Sequence, residues 1–208
     1  MFWLQSIIGV IYHPLAAFSA IKYDREDFKW WPAVVLLFLI FPVRVISIYI
    51  THYPVASLLP IHANIPLELF KFYVPLLSWM VVSFAVTSIT DGECHMREII
   101  TATAYSMVPY IVFTLPIALL SRVLSVTEVG FYNFLIGVIW AWVALLFIIN
   151  VMVMNSYSLG RALFTVFLNI VGIAFLWCII LLLLALISHF ATFVEDLAFE
   201  IKYLLFKS

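Results

Sequence analysis

The 208-residue chain is 66% hydrophobic and 10% charged, with a formal net charge of −1 and a mean hydropathy of +1.19. A soluble domain is about 45–50% apolar and about 25% charged, so this chain cannot hide its apolar surface in a globule and takes lipid as its solvent. Near-neutral charge excludes a basic field for nucleic acid. Cys94 and Cys178, the two cysteines, exclude a disulfide scaffold.

The chain opens "MFWLQSIIGVIYHPLAAFSAIKYDRE". It has no basic stretch before its apolar part and no small-residue cleavage site, so it does not read as a signal peptide. Residues 2–21, interrupted by Gln5, His13 and Pro14, read instead as an interfacial segment. Five later windows are apolar over the ~20 residues that a membrane-spanning helix needs. They lie at about residues 31–50, 70–89, 99–120, 131–153 and 166–188. Continuous runs such as "CIILLLLALI" exclude the alternating pattern of a barrel. The tail, about 190–206, places Phe190, Phe193, Val194, Leu197, Ile201, Leu204 and Leu205 at helical spacing, with acids and lysines mostly on the other side. That pattern predicts an amphipathic helix on the bilayer surface. The fold class is all-α: a polytopic integral membrane bundle of five transmembrane helices with amphipathic or interfacial segments at both ends.

Lys and Arg near the span ends favour a cytoplasmic N-terminus and an extracytoplasmic C-terminus. This orientation puts the loops at 89–99 and 154–165 on the cytoplasmic side.

The first loop, "ITDGECHMREI", is the densest chemistry in the chain. Asp91, Glu93, Cys94, His95 and Glu98 are candidate ligands or acid–base groups. The spacing does not converge them on one ion, and no nucleophile stands nearby. No metal or cofactor is expected. Asp91-Gly92 is a turn dipeptide, and the acids suit the positive end of the following helix. Cys94 lies near that helix start and Arg97, which favours a reactive thiol. Asp91, Glu93, His95 and Arg97, with Ser158 and Arg161 of the second loop, are candidate partner contacts.

Within the spans, Arg44 costs about 2.5–3.5 kcal/mol at mid-helix. It either snorkels, pairs, or lines a substrate or ion path. No second buried acid is visible in spans two to five, and Asn150, Asn169, Thr101, Thr103 and Ser106 offer thin polar lining. Pro42, Pro75, Pro109 and Pro116 bend their helices, for packing or for a binding site. Small pairs four apart, Ala102 with Ser106 and Gly137 with Ala141, would let helices approach closely. Hydrolase, zinc-protease and phosphate-loop motifs are absent.

Several fragments together resemble one family. "IYHPLAAFSAIK" is similar to the opening of Yip1-domain membrane proteins, with an apolar–Lys pair before the first span. "DGECHMREIITATAYSMVPYIV" resembles that family's inner loop and Ala-Tyr-Ser-x-x-Pro helix, with Tyr105, Ser106 and Pro109 at the matching positions. "NSYSLGRALFTV" looks like its second inner loop. The loop departs from the family in being acidic, and the long polar N-terminal region of eukaryotic members is missing, so a bacterial-type member is expected. The resemblance implies a five-span, non-enzymatic protein that works by contacting other proteins, with no catalytic residues to carry over.

The expected function is therefore a non-enzymatic accessory or assembly protein of the cytoplasmic membrane. Its partner would be a larger integral membrane complex, an ABC transporter among the candidates, and a homo-oligomer is a further expected assembly. The alternative is a small permease or channel for a solute or ion. Arg44, Tyr105 and Pro109 are the candidate intramembrane functional residues.

Overall fold

In lipid, a backbone N–H or C=O without a partner costs several kcal/mol, so each apolar run closes its own hydrogen bonds as a helix. The computed structural model describes residues 8–23, 31–52, 55, 63–90 and 92–207. Residues 2–7 of the expected N-terminal interfacial segment lie outside them. The chain divides into two units, Met1–Asn169 and Ile170–Ser208.

In the first unit, a helical turn at residues 8–12 leads into α1 (Pro14–Tyr23). Then come α2 (Trp31–Ile50), α3 (Ile65–Ile89), α4 (Met96–Ser106), α5 (Val108–Leu120) and α6 (Val129–Met154). The helix α7 starts at Leu159, in this unit, and runs to Lys207. Among the described residues, five helical stretches are long and apolar enough to cross a membrane, with α4 and α5 together forming one of them. The described residues contain no strand.

The pair α4–α5 is the hub. It packs against α1, α2, α3 and α6, and ten consecutive residues, Thr101–Tyr110, are buried. Small side chains make this possible. Ala102, Ala104, Thr103 and Ser106 are fully enclosed, so neighbouring backbones come close. Pro109 has no N–H to donate back along the helix. The chain breaks at Met107, whose N–H turns to the Ala104 carbonyl at 3.2 Å before α5 resumes. Ser106 back-bonds to the Ala102 carbonyl at 2.8 Å, and Asn150 of α6 reaches the Ser106 hydroxyl at 3.4 Å.

Two apolar clusters sit on either side of that break. One joins Phe18 and Ile21 of α1 to Leu36, Met80, Ala104, Tyr105 and Leu146. The other joins Ile40 and Val43 to Leu76, Met107, Tyr110, Ile139 and Val143. The described part of the N-terminal segment thus packs against the bundle, with Val10 and Phe18 fully buried. Of the two small-residue pairs, Ala102 and Ser106 do serve close approach, whereas a methyl group on Gly137 would meet open space.

The second unit is the remainder of α7. Its helix is unbroken between residues 188 and 190, so the apolar run and the amphipathic tail are one continuous element.

Because the hub is filled by small residues, Ala102→Leu should overpack it and cost about 1–3 kcal/mol. The expected result is a lower unfolding midpoint in mild detergent. Val138→Leu, on an exposed position of α6, should leave the midpoint unchanged.

Candidate functional site

Polar groups gather at the two ends of the first unit. At the end carrying residues 92–98, α1 delivers Lys22 into the bundle, where it is 4% exposed. Its ammonium donates to Glu93 Oε2 at 2.8 Å and to the Ser156 hydroxyl at 2.6 Å. Ser156 takes a left-handed backbone with φ 54° to make that reach. Such a conformation costs a non-glycine residue strain.

A second tie lies beside the first. The Thr90 carbonyl accepts from the Tyr157 hydroxyl at 2.9 Å and from the Arg161 guanidinium. That guanidinium also lies over the Tyr157 ring, 4.5 Å from its centroid. Gly92 is where the two loops touch. A Cβ there would lie 2.5 Å from Asn155 Oδ1, 2.8 Å from Thr87 Cβ and 2.9 Å from the Tyr157 hydroxyl, so a larger residue would have to displace these side chains. Thr90 and residues 92–98 therefore form one assembled surface with residues 154–161.

The sequence-predicted residues fall on it unequally. His95 and Arg97 are exposed, as are Ser158 and Arg161. His95 is the N-cap of α4, and the Glu98 carboxylate accepts its backbone N–H at 3.0 Å. Glu93 holds Lys22 rather than standing at the helix start. Cys94 is buried within the apolar cluster, contrary to the exposed thiol that reactivity requires. Asp91 lies outside the described residues. Among the described residues, no three His, Cys, Asp or Glu side chains could hold a metal ion together.

The opposite end contains Arg44. The expectation that no buried acid faces it is overturned by Glu68, which is 4% exposed. The reason is a boundary. The helix α3 begins at Ile65 rather than residue 70, with Asn64 capping it through a 3.2 Å bond from Leu67 N–H. Glu68 therefore lies in its first turn. Its Oε2 accepts from Arg44 Nε at 3.0 Å and lies 2.9 Å from Nη2. Its Oε1 takes the Lys71 ammonium at 3.0 Å. Such charge-assisted pairing offsets the cost of taking Arg44 out of water.

These three residues line a cavity of about 360 Å³ with Phe72, Tyr110, Thr114, Tyr132 and Trp140. Trp140 stacks on Phe72, with centroids 6.0 Å apart and an interplanar angle of 28°. It also approaches Tyr110 at 5.4 Å. Tyr105 and Pro109, the other intramembrane candidates, do not join this cavity and belong to the buried hub. Lys22, Glu68, Lys71 and Tyr157 are the site residues that sequence reasoning missed. "NIP" at 64–66, an Asn cap with a first-turn proline, was the available signal for Glu68.

The Lys22–Glu93 pair is asymmetric, because Glu93 is 62% exposed at its side chain and Lys22 is 5%. Glu93→Gln removes the counter-charge of a buried ammonium and should cost about 1–3 kcal/mol. Lys22→Met leaves Glu93 in water and should cost less. Thermal melts of the two variants in the same detergent check this order.

Comparison with known proteins agrees with the geometry in one respect. A family model for the Yip1 domain matches residues 8–181. No curated protein and no solved structure matches. The match runs from the turn before α1, through the hub with its Ala-Tyr-Ser-x-x-Pro segment, and into α7. The chain is a multi-pass membrane protein and belongs to the Yip1-domain family.

Proposed function

We propose that this protein is a non-enzymatic accessory or assembly protein of the cytoplasmic membrane. It docks onto a larger integral membrane complex through the surface formed by residues 92–98 and 155–161. An ABC transporter is the partner class carried over from the family resemblance. The N-terminus is cytoplasmic and the C-terminus extracytoplasmic.

One observation supports the reading best. Two loops distant in sequence are tied by Lys22, Glu93 and Ser156, and again by Tyr157 and Arg161 to Thr90. A surface fixed in advance loses little ordering entropy on binding. Exposed His95, Arg97 and Ser158 are presented outward from it. The Glu93 carboxylate is engaged by a cation and a hydroxyl, a holding role rather than that of a base set against a nucleophile.

A second reading, a small permease, draws on the cavity around Arg44. Residues Thr101–Tyr110 are buried, and the cavity's lining reaches that stretch only at Tyr110. A solute path would require the α4–α5 break to open. Flux through liposomes holding the purified protein alone, abolished by Arg44→Ala, would select this reading.

Joint substitution of Arg97→Glu and Ser158→Glu should sharply reduce the companion complex recovered with the tagged protein in mild detergent, while its own yield stays constant. Unchanged co-purification sinks the docking surface. For orientation, Ser125→Cys and Ser158→Cys are compared in a background without Cys94 and Cys178. An impermeant thiol reagent should label residue 125 in intact cells, and residue 158 only after permeabilisation.

A further inference from the structure

We propose that the Arg44–Glu68–Lys71 cavity binds a singly charged phosphodiester, presented by the headgroup of an anionic phospholipid. Charge counting comes first. Two cations share one carboxylate, and both oxygens of Glu68 are taken. One positive charge therefore remains without a counter-ion in the cluster. Guanidinium has five N–H donors and ammonium three, and Glu68 uses only part of that set. A cation would be repelled by the net positive charge, and an apolar ligand would leave that charge unanswered.

Two further donors point the same way. The hydroxyls of Tyr110 and Thr114 line the cavity. Both residues are about 95% buried, at 4% and 5% exposure; their hydroxyls lie beside each other and Tyr110 beside Arg44, and neither closes a hydrogen bond of good geometry. Buried hydroxyls in native proteins are almost always satisfied, and an oxyanion in this cavity would satisfy both. The rings of Phe72, Tyr110 and Trp140 form an apolar wall beside these donors. Polar donors against an apolar wall suit a headgroup that carries a hydrocarbon stem.

Depth selects a lipid as the source of the anion. Arg44 stands six residues before the end of α2, about 9 Å along the helix axis. Glu68 lies in the first turn of α3. The site is thus near the ends of two spans, where phospholipid phosphates are concentrated, and basic pockets between spans bind such groups.

The test is native mass spectrometry of the full chain, delipidated in mild detergent. It is titrated separately with phosphatidylglycerol, with phosphatidylcholine of the same chains, and with inorganic phosphate. Retention of phosphatidylglycerol over phosphatidylcholine is expected. Tyr110→Phe and Lys71→Gln should each weaken it about tenfold or more. Both variants should melt close to the parent, because the Tyr110 hydroxyl closes no hydrogen bond of good geometry and the Lys71 side chain is 57% exposed. Glu68→Gln releases a second cation and should tighten binding, the opposite of what a purely structural role requires. Equal retention of both lipids overturns the proposal, as does indifference to Tyr110→Phe and Lys71→Gln. Phosphate binding without phosphatidylglycerol retention overturns the lipid source.

Discussion

Everything in the first unit depends on one helix being narrow enough to surround. From Thr101 to Tyr110 the chain is enclosed on every side, and four other helices pack on it. Lipid supplies no hydrophobic push between helices, so close packing and short polar ties must hold the bundle. Alanines, threonines and serines at the hub supply both. The break at Met107 belongs to the same device, since a proline inside an enclosed helix forces the backbone to re-pair locally.

The hub also separates two chemistries. At one end a buried ammonium gathers two loops, and at the other a buried carboxylate gathers two cations. Each cluster is anchored by a nearly inaccessible charged residue, Lys22 or Glu68, and each faces a partner more exposed than itself. The arrangement fixes helix ends without placing an unpaired charge in hydrocarbon.

The spans were legible because the bilayer makes length and apolarity almost sufficient evidence. The windows at 31–50 and 131–153 fall within a few residues of α2 and α6. Boundaries failed where charge enters a span. The start of α3 lies five residues before the expected window because Glu68 looks like a polar flank, whereas Arg44 and Lys71 pair with it inside the helix. Lys22 was visible only as the basic end of a family-like segment. Its partners, Glu93 and Ser156, are 71 and 134 residues away, and no periodicity connects them. The contact roles of the loops could be guessed from their position, but their union through Gly92, Asn155 and Tyr157 is a packing fact.

The Arg44–Glu68 bond joins consecutive helices only 24 residues apart. During synthesis the second helix follows the first directly, and nothing later in the chain is needed for the two charges to meet. The α2–α3 hairpin is therefore the smallest piece of this protein that can enter a bilayer with its arginine already neutralised. Insertion of the early chain need not wait for the hub that later surrounds it.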